Sequence, residues 1–169
     1  WIYWTFAQRD ADGRNGTELA RGKLVGGPGS YRVEQPQVLF RMQPKSTTGL
    51  HFGSRLVFDR KGTLYMTLGD RGEMQRAQDL GDHRGKILRL TDEGKPAPGN
   101  PFLDDRKALA EIFSYGHRNV QGAALHPRTG ELWAAEHGPQ GGDELNLVRA
   151  GVNYGWPVIT YGVNYGIGT

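Results

Sequence analysis

A repeat constrains this chain more than any other feature. Three aromatic and apolar runs resemble one another: Trp1-Ile-Tyr-Trp-Thr-Phe6, Leu64-Tyr-Met-Thr-Leu-Gly-Asp70 and Leu132-Trp-Ala-Ala-Glu-His-Gly138. Tyr3 and Tyr65 lie 62 residues apart, and Tyr65 and Trp133 lie 68 apart. The second and third runs share a lead-in that turns on a glycine, Asp59-Arg-Lys-Gly62 and Pro127-Arg-Thr-Gly130. Each run is followed by a polar loop and a further short strand, at Lys23–Val25, Lys86–Leu90 and Glu144–Val148. Further strands are expected at Gln37–Met42, Ser54–Phe58 and Ala110–Tyr115. Short strands at such spacing between Gly-, Pro- and Asp-rich turns indicate an all-β array. About four strands every 60-odd residues fit long-looped propeller blades, so the 169 residues hold two to three blades. A propeller needs at least four blades to close, so a second chain or a missing half is expected to complete it.

Composition narrows the class. The 26 Gly and 9 Pro would suit a disordered chain, but 10% aromatic residues argue for a packed core. The only expected helix is short, at Asp104–Leu109, and residues 1–169 show no internal domain boundary. The formal net charge is +3 and the charges are dispersed, without the basic stripe that tracks phosphates, which argues against a nucleic-acid partner. No apolar run reaches membrane-spanning length. Without cysteine, disulfides, thiolate metal sites and a Cys nucleophile are excluded. The first residues, Trp1-Ile2-Tyr3-Trp4, carry neither Met nor a signal peptide and read as the interior of a strand, as expected of a piece cut or matured from something longer.

Several loops carry residues suited to chemistry. His51 stands in Thr48-Gly-Leu-His-Phe-Gly53, where flanking glycines let the backbone approach a ligand; it reads either as a general base near neutral pH or as ordinary loop polarity. Asp70 ends a strand in Leu-Gly-Asp-Arg-Gly72 and reads either as a turn aspartate or as the carboxylate that orients an imidazole. Gly116-His-Arg-Asn-Val-Gln-Gly122 sets the donor fork of Arg118 beside the amide of Asn119, an arrangement fit for an anionic or quinonoid ligand or for bracing adjacent blades. In Glu136-His-Gly-Pro-Gln-Gly-Gly-Asp-Glu144, Gly-Pro and Gly-Gly bends can turn backbone carbonyls to one point. Carbonyls with carboxylates are the hard oxygen ligands calcium prefers; a solvated acidic turn is the plainer reading. His83 and His126 read as solvated surface residues.

Nine motifs in fixed order resemble the soluble quinoprotein sugar dehydrogenases, in particular their aldose sugar dehydrogenase branch. They are His51-Phe-Gly, Leu68-Gly-Asp70, Gly85-Lys-Ile-Leu-Arg89, Asn100-Pro-Phe102, Gly116-His-Arg-Asn119, Gln121-Gly122, Glu136-His-Gly-Pro139, Gly142-Asp-Glu-Leu-Asn146 and Asn153-Tyr-Gly-Trp-Pro157. The resemblance implies part of a six-bladed β-propeller that oxidises the C1 hydroxyl of aldoses to lactones with pyrroloquinoline quinone (PQQ) and Ca²⁺. It implies that His51 is the general base, with hydride passing to C5 of PQQ, and that Asp70 supports His51. Arg118 and Asn119 are implied to contact the quinone, with Tyr165 also near it. Gly138 and Pro139 are implied to hold the cofactor's calcium through their carbonyls, and Glu144 and Tyr154 to hold a second, structural calcium. A soluble electron acceptor and a periplasmic or secreted location follow from the same resemblance. The family's upstream glutamine and downstream Lys and Arg clamp residues have no counterpart in this sequence, so the isolated chain is expected to bind PQQ poorly. Two other readings of such a scaffold are a calcium-dependent lactonase and a non-catalytic binding propeller.

Overall fold

In a computed structural model, which describes residues 1–166, ten strands form three antiparallel meanders. The first sheet contains β1 (Ile2–Arg9), β2 (Asn15–Val25) and β3 (Arg32–Arg41). The second contains β4 (Leu56–Phe58), β5 (Leu64–Leu68), β6 (Lys86–Leu90) and β7 (Ile112–Tyr115). The third contains β8 (Val120–Leu125), β9 (Leu132–Glu136) and β10 (Glu144–Val148). Within each sheet, strands pair in chain order. This succession of meanders is the architecture of propeller blades, one complete and two of three strands.

Turn chemistry sets the hairpins. Asp59 accepts the N–H groups of Lys61 (2.8 Å) and Thr63 (2.9 Å), and Gly62 takes the left-handed φ of +83° that closes the β4–β5 turn. β5 and β6 are buried on both faces of their sheet. Leu64, Met66, Leu68, Leu88 and Leu90 pack with Leu19, Phe40 and Met42 of the first sheet and its exit loop. Ile87, of opposite parity, packs with Val120, Ala123, Leu132, Ala134 and Val148 of the third sheet. Each fully buried Leu or Ile contributes roughly 1.5–3 kcal/mol, so the two clusters hold adjacent blades together.

The expected strands are present, Lys86–Leu90 and Glu144–Val148 with their expected limits and most others with shifted ones, and two segments differ in kind. β2 begins eight residues before Lys23. β8, Val-Gln-Gly-Ala-Ala-Leu, lies where only a polar segment was read, because its small residues have little strand propensity and its pairing to β9 supplies the order. The helix expected at Asp104–Leu109 is instead a run of turns. Asp105 folds back to accept the Lys107 N–H (2.8 Å), and a six-residue segment gains too few helical bonds to offset nucleation. A single-turn 3₁₀ helix forms at Met74–Gln78. His83 is also not solvated: it is buried, takes the Gln43 N–H on Nδ1 (2.7 Å) and meets Glu111 through Nε2 (2.7 Å).

Candidate functional site

Strand register places the chemistry-bearing loops together. Leu68 pairs with Lys86 and Lys86 with Tyr115, so β5 ends, β6 starts and β7 ends at one edge of the second sheet. β8 starts, β9 ends and β10 starts at the corresponding edge of the third, since Val120 and Glu144 both pair with Glu136. The loops at 43–55, 69–73, 116–119 and 137–143 therefore meet at that end. Between them lies a cavity of about 660 Å³, walled by His51, Arg118, Asn119, Gly138, Pro139 and Tyr165, among others.

His51 adopts a left-handed φ of +48°, uncommon for a residue with a side chain and a sign that its surroundings dictate its conformation. Its loop lies directly on the end of β5. A Cβ on Gly69 would stand 2.0 Å from the His51 carbonyl oxygen, so only glycine admits this approach. Asp70 is fully buried, and both oxygens are engaged. Oδ1 meets His51 Nδ1 at 2.6 Å and accepts the Gly72 N–H at 2.8 Å, while Oδ2 accepts Trp156 Nε1–H at 2.7 Å. A carboxylate only accepts, so Nδ1 carries the proton and donates it to Asp70. The lone pair of the neutral ring is then on Nε2. With its imidazole mostly shielded and its ring on the cavity wall, His51 is built to receive a proton at Nε2.

Arg118 and Asn119 are held by the third sheet. The Arg118 N–H donates to Glu136 Oε2 (2.8 Å), its Nη1 to the His137 carbonyl (2.9 Å), and its guanidinium lies 5.4 Å from the centre of the Trp156 ring. The Arg118 carbonyl accepts the Asp70 N–H (2.8 Å), which joins the two halves of the site. Asn119 Oδ1 accepts the Gly53 N–H (3.2 Å), and its Nδ2 has no protein acceptor among the described residues. Burial alone would raise the Glu136 carboxyl, but His117, the Arg118 N–H and the Asn146 amide outweigh it and hold it below the usual carboxylate range.

The 137–143 loop is closed on itself. Asp143 Oδ1 accepts the Gly138 N–H (3.0 Å), and a Cβ on Gly138 would stand 2.3 Å from the Gly142 carbonyl oxygen. Among the described residues, nothing donates to the carbonyls of Gly138 or Pro139. Gly138 and Pro139, which line the cavity with Asp143, thus offer two carbonyls without a protein donor, oxygens of the kind a hard cation such as Ca²⁺ takes, although no cluster of three His, Asp or Glu stands among the described residues. The Arg118 fork and the free amide of Asn119 suit an anionic, carbonyl-bearing cofactor. The residues present therefore fit both groups.

The remaining expected residues lie elsewhere or differently. Tyr165 lines the cavity and is exposed. Glu144 lines a neighbouring cavity of about 350 Å³ with Gln121, Glu136 and Asp143, and its Oε2 accepts the Asn146 amide (3.0 Å). Tyr154 lies apart from both cavities. Its ring stacks on His117 at 4.7 Å, and its hydroxyl donates to the Leu147 carbonyl (2.7 Å) and accepts the Arg149 N–H (2.9 Å). Its phenol is thus engaged by the protein, its N–H donates to the Tyr115 carbonyl (2.9 Å), and only its carbonyl has no protein partner among the described residues. Sequence reasoning did not single out Gly69 or Arg71. The nearest signal was the Gly-Asp-Arg-Gly string itself, since local pattern does not reveal that an Arg in a turn is buried. Trp156 enters the sequence only as part of the Asn153-Tyr-Gly-Trp-Pro157 motif, with no role of its own.

Three comparisons relate this chain to known proteins. A family model described as Glucose / Sorbosone dehydrogenase matches residues 1–169. The aldose sugar dehydrogenase YliI of Escherichia coli is 46% identical over 164 residues, which cover 97% of this chain and 44% of that protein. The crystal structure of the soluble aldose sugar dehydrogenase from Escherichia coli, in its apo form, superposes with a TM-score of 0.92 at 45% identity, over 97% of this chain and 47% of that one. The PQQ-bound form of aldose sugar dehydrogenase from Streptomyces coelicolor gives a TM-score of 0.73 at 36% identity, over 92% of this chain and 43% of that one. The chain spans under half the length of each of these relatives.

Proposed function

Because the chain belongs to the glucose/sorbosone dehydrogenase family, we propose that it supplies the base and much of the cofactor wall of an enzyme that oxidises aldoses at C1 to lactones. The observation that carries this reading is the His51–Asp70 pair at 2.6 Å, its free Nε2 on the same cavity as Arg118, Asn119 and the unengaged carbonyls of Gly138 and Pro139. His51 Nε2 takes the proton of the C1 hydroxyl, which lets the C1 hydrogen depart as hydride. Asp70 holds the ring in the productive tautomer and stabilises the imidazolium that forms. Arg118 and Asn119 would hold the cofactor, and the Arg118 cation would offset negative charge on its oxygens. Gly138 and Pro139 would hold Ca²⁺ through their carbonyls, and Glu144 with the Tyr154 backbone would serve a second calcium. PQQ, when bound, supplies the two-electron acceptor. A soluble acceptor for those electrons and a periplasmic or secreted location belong to the same reading; no helix among the described residues is long and apolar enough to cross a membrane.

The test is dye reduction by the closed propeller that contains this chain, with PQQ, Ca²⁺ and a panel of aldoses, with and without chelator, for the wild type and His51→Ala. The expected result is turnover that needs both additions and falls by about 10²-fold or more in the variant, with an unchanged circular dichroism spectrum. Wild-type turnover in His51→Ala, or quinone-independent lactone hydrolysis in place of oxidation, would refute it.

A further inference from the structure

Arg71 is fully buried, yet no carboxylate lies within salt-bridge distance of it among the described residues. Its two terminal nitrogens are spent on the loop that carries His51 and on β2, while Nε is buried without a partner among the described residues. Nη1 donates to the Leu50 carbonyl, and Nη2 to the Thr48 carbonyl (2.6 Å) and to Asn15 Oδ1 at the start of β2. The guanidinium carbon lies 3.4 Å from the centre of the Phe52 ring. In return, the Thr48 hydroxyl donates to the Arg71 carbonyl (2.5 Å). Thr48, Leu50 and Phe52 thus bracket His51 and are gripped by one side chain, whose own backbone follows Asp70 directly. Arg71 is itself at a left-handed φ of +59°.

We propose that Arg71 is a positioning residue: its fork locks the 48–52 loop against β2 and the 69–72 turn, and so holds the His51 imidazole on Asp70. A buried cation is costly: burial pulls this guanidinium down to about 10 although the charges of Asp70 and Glu73 favour the charged form. A merely structural role could be filled more cheaply by an apolar side chain. What an apolar side chain could not supply is two directed bonds to irregular loop backbone, which has no strand ladder to hold it, and a third to the Asn15 side chain on β2. The inference rests on the proposed role of His51.

The experiment uses the PQQ- and Ca²⁺-loaded enzyme and compares wild type, Arg71→Lys, Asn15→Ala and His51→Ala. Arg71→Lys keeps the charge and loses the fork. Its expected kcat is about 10²-fold lower, as for a base displaced by about an ångström, with KM for the sugar within about threefold of wild type. The pH profile of kcat should lose its His51 limb. Independently of turnover, the downfield proton resonance of His51 Nδ1–H, assigned by its absence in His51→Ala, should broaden or vanish in apo Arg71→Lys. Asn15→Ala removes one acceptor on another strand and should show the same changes in weaker form, which keeps the test open if Arg71→Lys does not fold. Variants that lose thermal stability but keep wild-type kcat, pH profile and resonance would overturn the proposal and leave Arg71 structural. Wild-type turnover in His51→Ala would instead overturn the reading beneath it.

Discussion

Replacing Glu136 with glutamine perturbs the fold and the site through one group. Glu136 is 6% exposed and accepts three hydrogen bonds, from the Arg118 N–H (2.8 Å), Asn146 Nδ2 (2.9 Å) and His117 Nδ1 (3.1 Å). Glutamine fits the volume but offers one carbonyl oxygen, and it sets an NH₂ where at least one of these donors now points. One buried donor is orphaned and one donor–donor contact is created. At about 1–3 kcal/mol for each unmet buried polar group, the expected loss is roughly 2–4 kcal/mol. For a chain of this length that is a fall in Tm of about 5–15 °C. The carboxyl is held below its ordinary value of 4.5, so its stabilising contribution is complete above that value and is lost as pH falls through the depressed one. Acidification below about pH 4.5 should therefore weaken the wild type more than Glu136→Gln. The assay is denaturant unfolding followed by tryptophan fluorescence at pH 7 and in acid. A loss under about 1 kcal/mol with parallel pH dependence would refute the view that Glu136 is an ionised anchor of the Arg118 loop.

Two further substitutions test other parts of the framework. Lys86 is fully buried, and burial lowers its ammonium to about 7, although Nζ donates to the carbonyls of Arg76 (2.9 Å), Ala77 (3.0 Å) and Arg84 (2.7 Å). Between pH 7 and about 10 the unfolded chain binds this proton and the folded chain releases it, so wild-type stability should gain up to roughly 1 kcal/mol per pH unit from this group. Lys86→Met should flatten that rise in urea midpoints, and equal slopes in both proteins would refute it. Gly69→Ala would set a Cβ 2.0 Å from the His51 carbonyl oxygen, so the 48–52 loop must move. About 1–3 kcal/mol of stability and about 10²-fold in turnover should be lost, and wild-type turnover would contradict the proposed dependence on this contact.

The sheets were legible where the chain alternates or runs apolar between strong turns, as at Lys86–Leu90 and Glu144–Val148, whose limits agree with the structure. They were illegible where non-local pairing overrides propensity: Gly122, Ala123 and Ala124 belong to β8 only because Ala135, Ala134 and Trp133 lie opposite. The residues that line the cavity were legible for a related reason. His51, Gly138 and Pro139 are marked by glycines that their own tight loops demand, a local cause that leaves a local trace. The partners of these residues left none. Trp156 reaches Asp70 across 86 positions, and Arg71 reaches Asn15 across 56.

The cations mislead most. The sequence displays 21 Lys and Arg against 18 acids, dispersed as a solvated surface would be, yet Lys45, Arg71, Arg84 and Lys86 are buried. Their placement follows from the loops. Loops that carry a site leave backbone carbonyls that no strand pairs and that little water reaches, and each needs a donor. Long cationic side chains offer several donors from one anchored stem. Arg71 serves the carbonyls of Thr48 and Leu50, Lys86 those of Arg76, Ala77 and Arg84, and Arg118 that of His137. Lys45 and Arg84 complete the frame through carboxylates, Glu18 and Asp10 for the first, Asp82 and Glu73 for the second. At this end of the blades, charged side chains do the work that strand ladders do elsewhere. In a loop-rich β-sheet protein, a Lys or Arg beside a turn glycine near site residues is therefore better read as a brace for loop carbonyls than as solvated surface.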